Sequence, residues 1–143
     1  MKRLVGMLAC LLGLAAFTTP AVAAGTSVAI KSWHVYTSDH KLHKKKPGST
    51  FKACASKPTT EIDAKGSVKG ATKGTKFDEI WSLNGHHNTT YHSTWLKNGS
   101  FTDYFTMVSE SGTLDTGKWR VKLVEHAKTI GKSSITIRTK KSC

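Results

Sequence analysis

The feature that most limits the fold lies near the end of the chain, where two segments alternate strictly between apolar and polar residues. The segment GKWRVKLVE places Trp119, Val121 and Leu123 on one side and basic residues on the other, and SSITIRTK repeats the pattern with its two isoleucines. A period of two is typical of strands with one buried face. The intervening AKTIGK predicts a turn around Ile130-Gly131, so the two segments predict a β-hairpin.

Shorter segments of the same kind precede this hairpin. In TSVAIKSWHVYT the apolar face shifts by one residue near Ser32, which predicts a strand with a bulge or two strand pieces. STFKACA predicts a short strand, and TKFDEIWSL ends at Asn84-Gly85, a strong hairpin signal, before TTYHSTWL. Residues 101–108 fit a helical spacing as well as a strand, and their flanking glycines and short length favour the strand. Short strands separated by glycine turns predict an all-β sandwich or barrel.

The order of these motifs resembles a known family. The motifs are I-W-S-L-N-G at 80–85, L-D-T-G-K-W-R-V-K-L at 114–123, the Ile130-Gly131 turn and the final I-T-I strand. In this order they are similar to small exported bacterial immunoglobulin-like β-sandwich modules, over roughly residues 75–139. The resemblance implies an immunoglobulin-like antiparallel β-sandwich with a binding or accessory role, and it transfers no catalytic residue.

The first 24 residues have the layout of a secretory signal peptide. A basic start at Lys2 and Arg3 precedes an apolar run, which ends in the small residues Ala21-Val22-Ala23. Cleavage after this segment would leave one β-sandwich domain at 25–143. No later segment is apolar for long enough to cross a bilayer, so we expect no transmembrane segment in the mature chain. The predicted location is the periplasm or the outside of a bacterial cell.

Two cysteines remain after the predicted cleavage, because Cys10 leaves with the signal peptide. Cys54 and Cys143 form an even pair in a chain expected to be exported, and such a pair is most simply a disulfide. A terminal cysteine that stays free, or that pairs between chains, is the alternative. Neither cysteine lies in a C-x-x-C motif, so we expect no metal or redox role for them.

The charge of the chain is strongly positive. Without Lys2 and Arg3, 20 basic residues face 9 acidic ones, a net charge of +11. The excess is concentrated between Lys41 and Lys76, and we expect a flexible Lys/Gly-rich loop at about 64–76. The candidate contacts for an anionic macromolecule or envelope surface, or for a protein partner, are Lys44, Lys45, Lys46, Lys65, Lys69, Lys73 and Lys76. A solvated basic surface with no bound partner is the other interpretation.

The chemistry of these residues excludes several functions. Only Arg120 and Arg138 among the 20 basic residues are arginines, so reading of base edges, which favours the arginine fork, is not expected. No G-x-S-x-G motif occurs, and the one adjacent acidic pair, Asp78-Glu79, would point to opposite faces of a strand. We therefore expect a non-catalytic module without a cofactor.

The histidines leave one alternative open. His86, His87 and His92 lie within seven positions after the Asn84-Gly85 turn, and neutral imidazole binds copper, nickel or zinc. They would define a periplasmic transition-metal-binding protein if the tip of the hairpin is looped, with a further contribution from His40 and His43. Adjacent histidines in a strand cannot face one side, which favours a simple surface hairpin.

Overall fold

The structure, a computed structural model, describes residues 25–143 and contains nine β-strands in that part of the chain. The predicted signal peptide at residues 1–24 lies outside the described residues. The strands are β1 (Ser27–Thr37), β2 (Leu42–Lys45), β3 (Thr50–Cys54), β4 (Thr59–Ala71), β5 (Lys76–Leu83), β6 (His86–Thr94), β7 (Gly99–Val108), β8 (Gly117–Glu125) and β9 (Lys128–Lys140). Within residues 25–143, no helix is long and apolar enough to cross a membrane.

The strands form two sheets that pack face to face. One has four strands in the order β2-β1-β4-β7, and the other has five in the order β3-β9-β8-β5-β6. All neighbours are antiparallel except β3 and β9, which run parallel. The β9-β8-β5 order opposite β1-β4-β7 is the arrangement of strands G, F and C opposite A, B and E in an immunoglobulin-like sandwich. The all-β class and the two-sheet architecture expected from the sequence are therefore confirmed.

Aromatic side chains fill the space between the sheets. Trp33 on β1 and Trp81 on β5 are fully buried, and their rings meet edge to face with centroids 5.9 Å apart. Toward one end, Phe77 stacks on Trp95 at 3.9 Å and meets Phe105 edge to face at 6.2 Å. These contacts join residues of both sheets, so the two sheets share one core.

Three local predictions are confirmed. The register between β1 and β4 shifts between Ile30 and Ser32, which is the expected bulge. Asn84 and Gly85 both have positive φ, at 51° and 82°, and they join β5 to β6 as a tight hairpin turn. Residues 101–108 belong to β7, because tertiary pairing with β4 favours the strand over the helical spacing.

The predicted flexible Lys/Gly-rich loop at 64–76 is wrong. Strand β4 continues through this segment to Ala71, and β5 begins at Lys76, so only residues 72–75 connect them. Gly66 points into the core, where an added Cβ would lie 2.8 Å from Val28 Cγ1 and 3.0 Å from Phe105 Cε2. The glycine leaves room for side chains of β1 and β7, its two neighbours in the same sheet, and its lack of a side chain hides the period of two from the sequence.

The turn of the last hairpin is also misplaced by the sequence. We expected it around Ile130-Gly131, but the chain reverses at His126 and Ala127, with φ of 49° and 61°. Gly131 lies within β9, where a Cβ would be 2.7 Å from the backbone oxygen of Val28. Unlike Gly66, whose close neighbours lie in its own sheet, this glycine marks a close approach of β1 to the opposite sheet.

The expected disulfide is present. Cys54 at the end of β3 is bonded to Cys143, with their Cα atoms 5.9 Å apart, an ordinary separation for such a bridge. It closes a sequence separation of 89 residues and ties the end of the chain to the five-stranded sheet. Since it joins β3 to the C-terminal tail, it differs from the inter-sheet bridge of antibody domains.

Candidate functional site

The outer face of the five-stranded sheet is lined with exposed cations. On β8 the residues Trp119, Val121 and Leu123 are buried in the core, so the alternating Lys118, Arg120 and Lys122 point to solvent. Residues two apart on a strand are separated by about 6.8 Å, so these three charges form a row about 14 Å long.

The neighbouring strands extend the row into a surface. Ile135 and Ile137 of β9 point inward, which leaves Lys132 and Arg138 exposed on the outer face. Phe51 and Ala53 of β3 are buried, and Lys52 between them is exposed. We call the resulting surface the cationic face; its residues are Lys52, Lys118, Arg120, Lys122, Lys132 and Arg138. It contains both arginines of residues 25–143.

Like charges lie directly opposite each other on this face. Lys122 pairs across the strands with Lys132, and Lys52 pairs with Arg138. In an antiparallel ladder, such as the one that pairs Lys122 with Lys132, like charges directly opposite each other destabilise the sheet by up to about 1 kcal/mol. Among residues 25–143, the only lysines or arginines within 4.0 Å of a carboxylate are Lys41 and Lys57, both at Asp39, so no acid offsets the charges of the cationic face.

The outer surfaces of β5 and β6 complete the same sheet. They carry one acid, Asp78, and His92 Nδ1 lies 2.7 Å from its Oδ1 oxygen. Farther along, Ser82 pairs with Arg120 on β8 and with His87 on β6. The positive charge is therefore concentrated on β3, β9 and β8, at one side of the sheet.

The lysines predicted from the sequence are not brought together in one group, although Lys44 and Lys65 both lie close enough to His34 to contribute to its lowered pKa. Lys44 lies opposite His34 on the outer face of the four-stranded sheet, and Lys45 on the same strand faces β3. Lys65 and Lys69 lie along β4, whereas Lys73 and Lys76 lie at the far end of the sandwich, around the turn between β4 and β5. Lys46 follows β2 in the connection to β3. These seven lysines are spread over both sheets.

Sequence reasoning missed the cationic face although part of its signal was visible. The alternation of Lys118, Arg120 and Lys122 served only to predict a strand, yet the same period puts the three charges on one surface. The remaining cations could not be added in this way. Lys52 meets Arg138 only through the parallel pairing of β3 with β9, which joins segments far apart in sequence.

The three histidines near the hairpin do not form one site. The turn is tight, so β6 begins at His86 and runs straight past His92, and six residues of strand span roughly 20 Å. His87 Nε2 lies 2.9 Å from Thr90 Oγ1, while His92 faces Asp78. In the described part of the chain, no three His, Cys, Asp or Glu side chains are grouped so that they could hold a metal ion. His40 and His43 lie on the β1–β2 side of the other sheet.

A second group of polar residues lies on the outer face of the four-stranded sheet, where the registers of β1, β4 and β7 align His34, Asp63 and Thr106. Asp63 is buried and accepts a hydrogen bond of 2.8 Å from Thr106 Oγ1. Burial lowers the pKa of His34, against the opposite effect of Asp63, and burial raises the pKa of Glu61. This group occupies the opposite side of the sandwich from the cationic face.

Comparison with known proteins gives a limited result. No protein-family model matches the chain, and no curated protein matches it. A solved structure does. It is an immunoglobulin-like protein from Pseudomonas aeruginosa, determined at 1.50 Å resolution, with 11% sequence identity, a TM-score of 0.47, and coverage of 82% of this chain and 99% of that chain. The chain is similar to a bacterial immunoglobulin-like protein, as its sequence indicates.

The strand order and register define the fold independently of this similarity. A shared sandwich architecture transfers no function, since many unrelated functions occur on it. The chemistry of the surface is therefore the basis for any functional conclusion.

Proposed function

We propose that the protein is an exported, non-catalytic binding module that holds an anionic polymer against its cationic face. The observation that carries this proposal is the set of six exposed cations on three adjacent strands, with like charges directly opposite each other and no acidic partner. A sheet selected for stability alone would alternate charges across its strands. A polyanion offsets the repulsion between the cations.

The shape of the cationic face suits an extended ligand. Side chains on an outer sheet surface stand in parallel rows, so a polymer can lie across β8, β9 and β3 and contact several cations in turn. Four of the six cations are lysines, which act as point charges, and the two arginines add planar donors for phosphate or sulfate oxygens. We expect binding that depends on charge density and on salt, with little dependence on polymer sequence.

The proposed location is the periplasm or the outside of the cell. The layout of residues 1–24 supports export, and the disulfide between Cys54 and Cys143 is of a kind that persists in oxidising compartments. Phosphate-bearing and sulfate-bearing polymers of the envelope and the extracellular matrix are thus the relevant ligand class.

The test measures affinity for heparin, lipopolysaccharide, teichoic acid and duplex DNA over a range of salt concentrations. The variant Lys118→Gln/Arg120→Gln/Lys122→Gln removes three charges from β8. We expect its affinity to fall by about tenfold or more at low salt, and the slope of log K against log salt to lose roughly two to three units.

The matched control is Lys44→Gln/Lys69→Gln/Lys73→Gln, which removes the same charge from exposed lysines outside the cationic face. We expect it to keep nearly the wild-type affinity. Equal losses in the two variants would show that attraction is a diffuse effect of net charge. Absence of salt-dependent binding by the wild-type protein to all four polymers would overturn the proposal.

A further inference from the structure

A groove lies between the edge strands of the two sheets, next to the cationic face. It has a volume of about 560 Å³ and separates β2 of the four-stranded sheet from β3 of the five-stranded sheet. We call it the β2–β3 groove. Its charged lining residues are Asp39, Lys41, Lys45, Lys52, Lys57 and Lys140. Five lysines and one carboxylate give it a strong positive charge.

Chain connections close both ends of this groove. At one end, residues 46–49 cross from β2 to β3 and are anchored on β9, where the Gly48 amide donates to the Ser134 oxygen at 2.7 Å. At the other end, the β1–β2 turn meets the β3–β4 turn. There the Ser38 amide donates to the Pro58 oxygen at 2.9 Å, and Lys57 Nζ lies 3.2 Å from Asp39 Oδ2. A polymer can therefore enter from the side but cannot pass through.

The interior of the groove combines an aromatic wall with free amines. The His43 ring lies 4.7 Å from the Phe51 ring, and Lys45 Nζ lies 5.6 Å from the centre of the Phe51 ring. Asp39 is shared by Lys57 and by Lys41, which lies 3.9 Å away. The three other lysines, Lys45, Lys52 and Lys140, have no carboxylate within 4.0 Å among residues 25–143.

We propose that the β2–β3 groove binds one phosphate-bearing or sulfate-bearing unit at the end of the anionic polymer. This inference rests on the proposed function, because Lys52 belongs both to the groove and to the cationic face. A polymer that lies on the face thus reaches the open side of this groove at the edge of the sheet. The volume is in the range that holds a small molecule, and the closed ends select a terminus.

The chemistry of the lining favours a tetrahedral oxyanion ester over a carboxylate. Such a group offers three acceptor oxygens in different directions, which three separate lysine amines can approach at once. A sugar ring that carries the group would pack against the aliphatic stems of the lysines and the ring of His43, which covers the buried Phe51. Phosphate and sulfate esters share this chemistry.

The experiment follows the amide resonances of the purified protein by NMR during titration with glucose 6-phosphate, glucose 6-sulfate and glucose. We expect saturable shifts at His43, Phe51 and Ala53 with one or both anionic sugars, and none with glucose. The ester that binds more tightly identifies the source of the ligand. No saturable shift in the groove with either ester overturns the inference.

Paired variants locate the site. Lys45→Gln/Lys140→Gln removes two amines from the groove, and Lys44→Gln/Lys141→Gln removes the same charge from the adjacent positions in sequence. We expect at least a tenfold loss of sugar-ester affinity in the first variant and little change in the second. Equal losses overturn the groove as the site. Thermal unfolding curves verify that both variants fold.

The two proposals can fail separately. If the esters do not bind in the groove while heparin binding remains sensitive to Lys118, Arg120 and Lys122, then the terminal site is wrong and the proposed function stands. If the esters bind and no polymer does, then the proposed function is wrong and the groove is a site for free small anions.

Discussion

The side chain of Glu79 is buried between the two sheets and accepts a hydrogen bond of 2.7 Å from Trp81 Nε1 on the same strand. The pKa of this carboxyl is raised to about 7, chiefly by burial and to a smaller extent by the charge of Asp103 on β7, against the opposite effect of the hydrogen bonds from Trp81 and from the Thr106 amide. A group that would be ionised at the surface is thus half protonated near neutral pH inside the sandwich.

We predict that Glu79 makes the protein less stable as the pH rises from about 4.5 to about 7. In this window the folded state retains the proton that the unfolded state has lost, so the free energy of unfolding decreases with pH. Below pH 4.5 both states are protonated, and above pH 7 the cost reaches a plateau of up to about 3 kcal/mol. Urea unfolding of wild type and Glu79→Gln across this range measures the effect.

The difference in the free energy of unfolding between wild type and Glu79→Gln separates the effect of Glu79 from that of other acids. One of these acids is Asp39, whose pKa is lowered to about 2 chiefly by a hydrogen bond from Thr37. Glutamine keeps an oxygen that can accept from Trp81 and removes the titration. The variant is expected to gain stability relative to wild type as the pH rises toward 7. A constant difference at all pH values would contradict the prediction.

We predict that Ser133→Ala destabilises the sandwich by about 1 to 3 kcal/mol. Trp33 is fully buried, and its Nε1 donates to Ser133 Oγ at 3.0 Å across the two sheets. Removing the acceptor leaves a buried N–H without a partner, and the desolvation cost of that group is not recovered. Chemical denaturation measures the change, and Ser134→Ala, at the next position on the outer side of β9, is expected to stay within about 0.5 kcal/mol of wild type.

We predict that Gly66→Ala destabilises the protein by about 1 to 3 kcal/mol. The added methyl group would lie 2.8 Å from Val28 Cγ1 and 3.3 Å from Ile30 Cδ1, so side chains of β1 must shift. The control is Ser67→Ala, the next residue of β4, which points away from the core. If residues 64–71 were a loop, the two substitutions would have equal and small effects on the midpoint of thermal unfolding.

Gly66 and Gly131 also explain where sequence reasoning about the fold succeeds and where it fails. Strand β8 carries a large side chain at each inward position, so its period of two is visible without the structure. In β4 a glycine takes an inward position because side chains of the neighbouring strands fill the space, and in β9 because the opposite sheet comes close; in both strands the sequence then resembles a loop or a turn. The space available at an inward position is a property of the folded chain, so it cannot be read from the sequence alone.

The candidate site, too, can be predicted from the sequence only in part. Charges on one strand, such as Lys118 and Lys122, can be placed on one face from their spacing alone. The approach of Lys52 to Arg138 depends on a parallel pairing, and the β2–β3 groove depends on the gap between two sheets. The concentration of lysines in the sequence predicted a binding surface at residues 41–76 instead. The fold divides these residues between the two sheets and the turn after β4.

We predict that the histidines of β6 bind transition metals weakly and independently. His86 and His92 are separated by roughly 20 Å of strand, so the three histidines cannot bind one ion together. Titration of copper(II), nickel(II) and zinc into wild type and the His86→Ala/His87→Ala/His92→Ala variant, followed by calorimetry, is expected to give similarly weak binding. Tight binding of one ion per chain that disappears in the variant would restore the metal-binding hypothesis.

We predict that reduction of the Cys54–Cys143 bond lowers the free energy of unfolding by about 2 to 5 kcal/mol, because it releases a constraint on the unfolded chain between residues 89 positions apart.

Loss of the same bond should also weaken the binding of sugar esters in the β2–β3 groove. Cys54, the last residue of β3, lines the β2–β3 groove together with Lys140, which ends β9 three positions before Cys143. Freeing residues 141–143 therefore gives Lys140 more conformational freedom without removing any charge. In a Cys54→Ser/Cys143→Ser variant that remains folded, the sugar-ester affinity should fall several-fold, whereas heparin affinity at the cationic face should change little. Unchanged ester binding in this variant would show that Lys140 does not contact the terminal group.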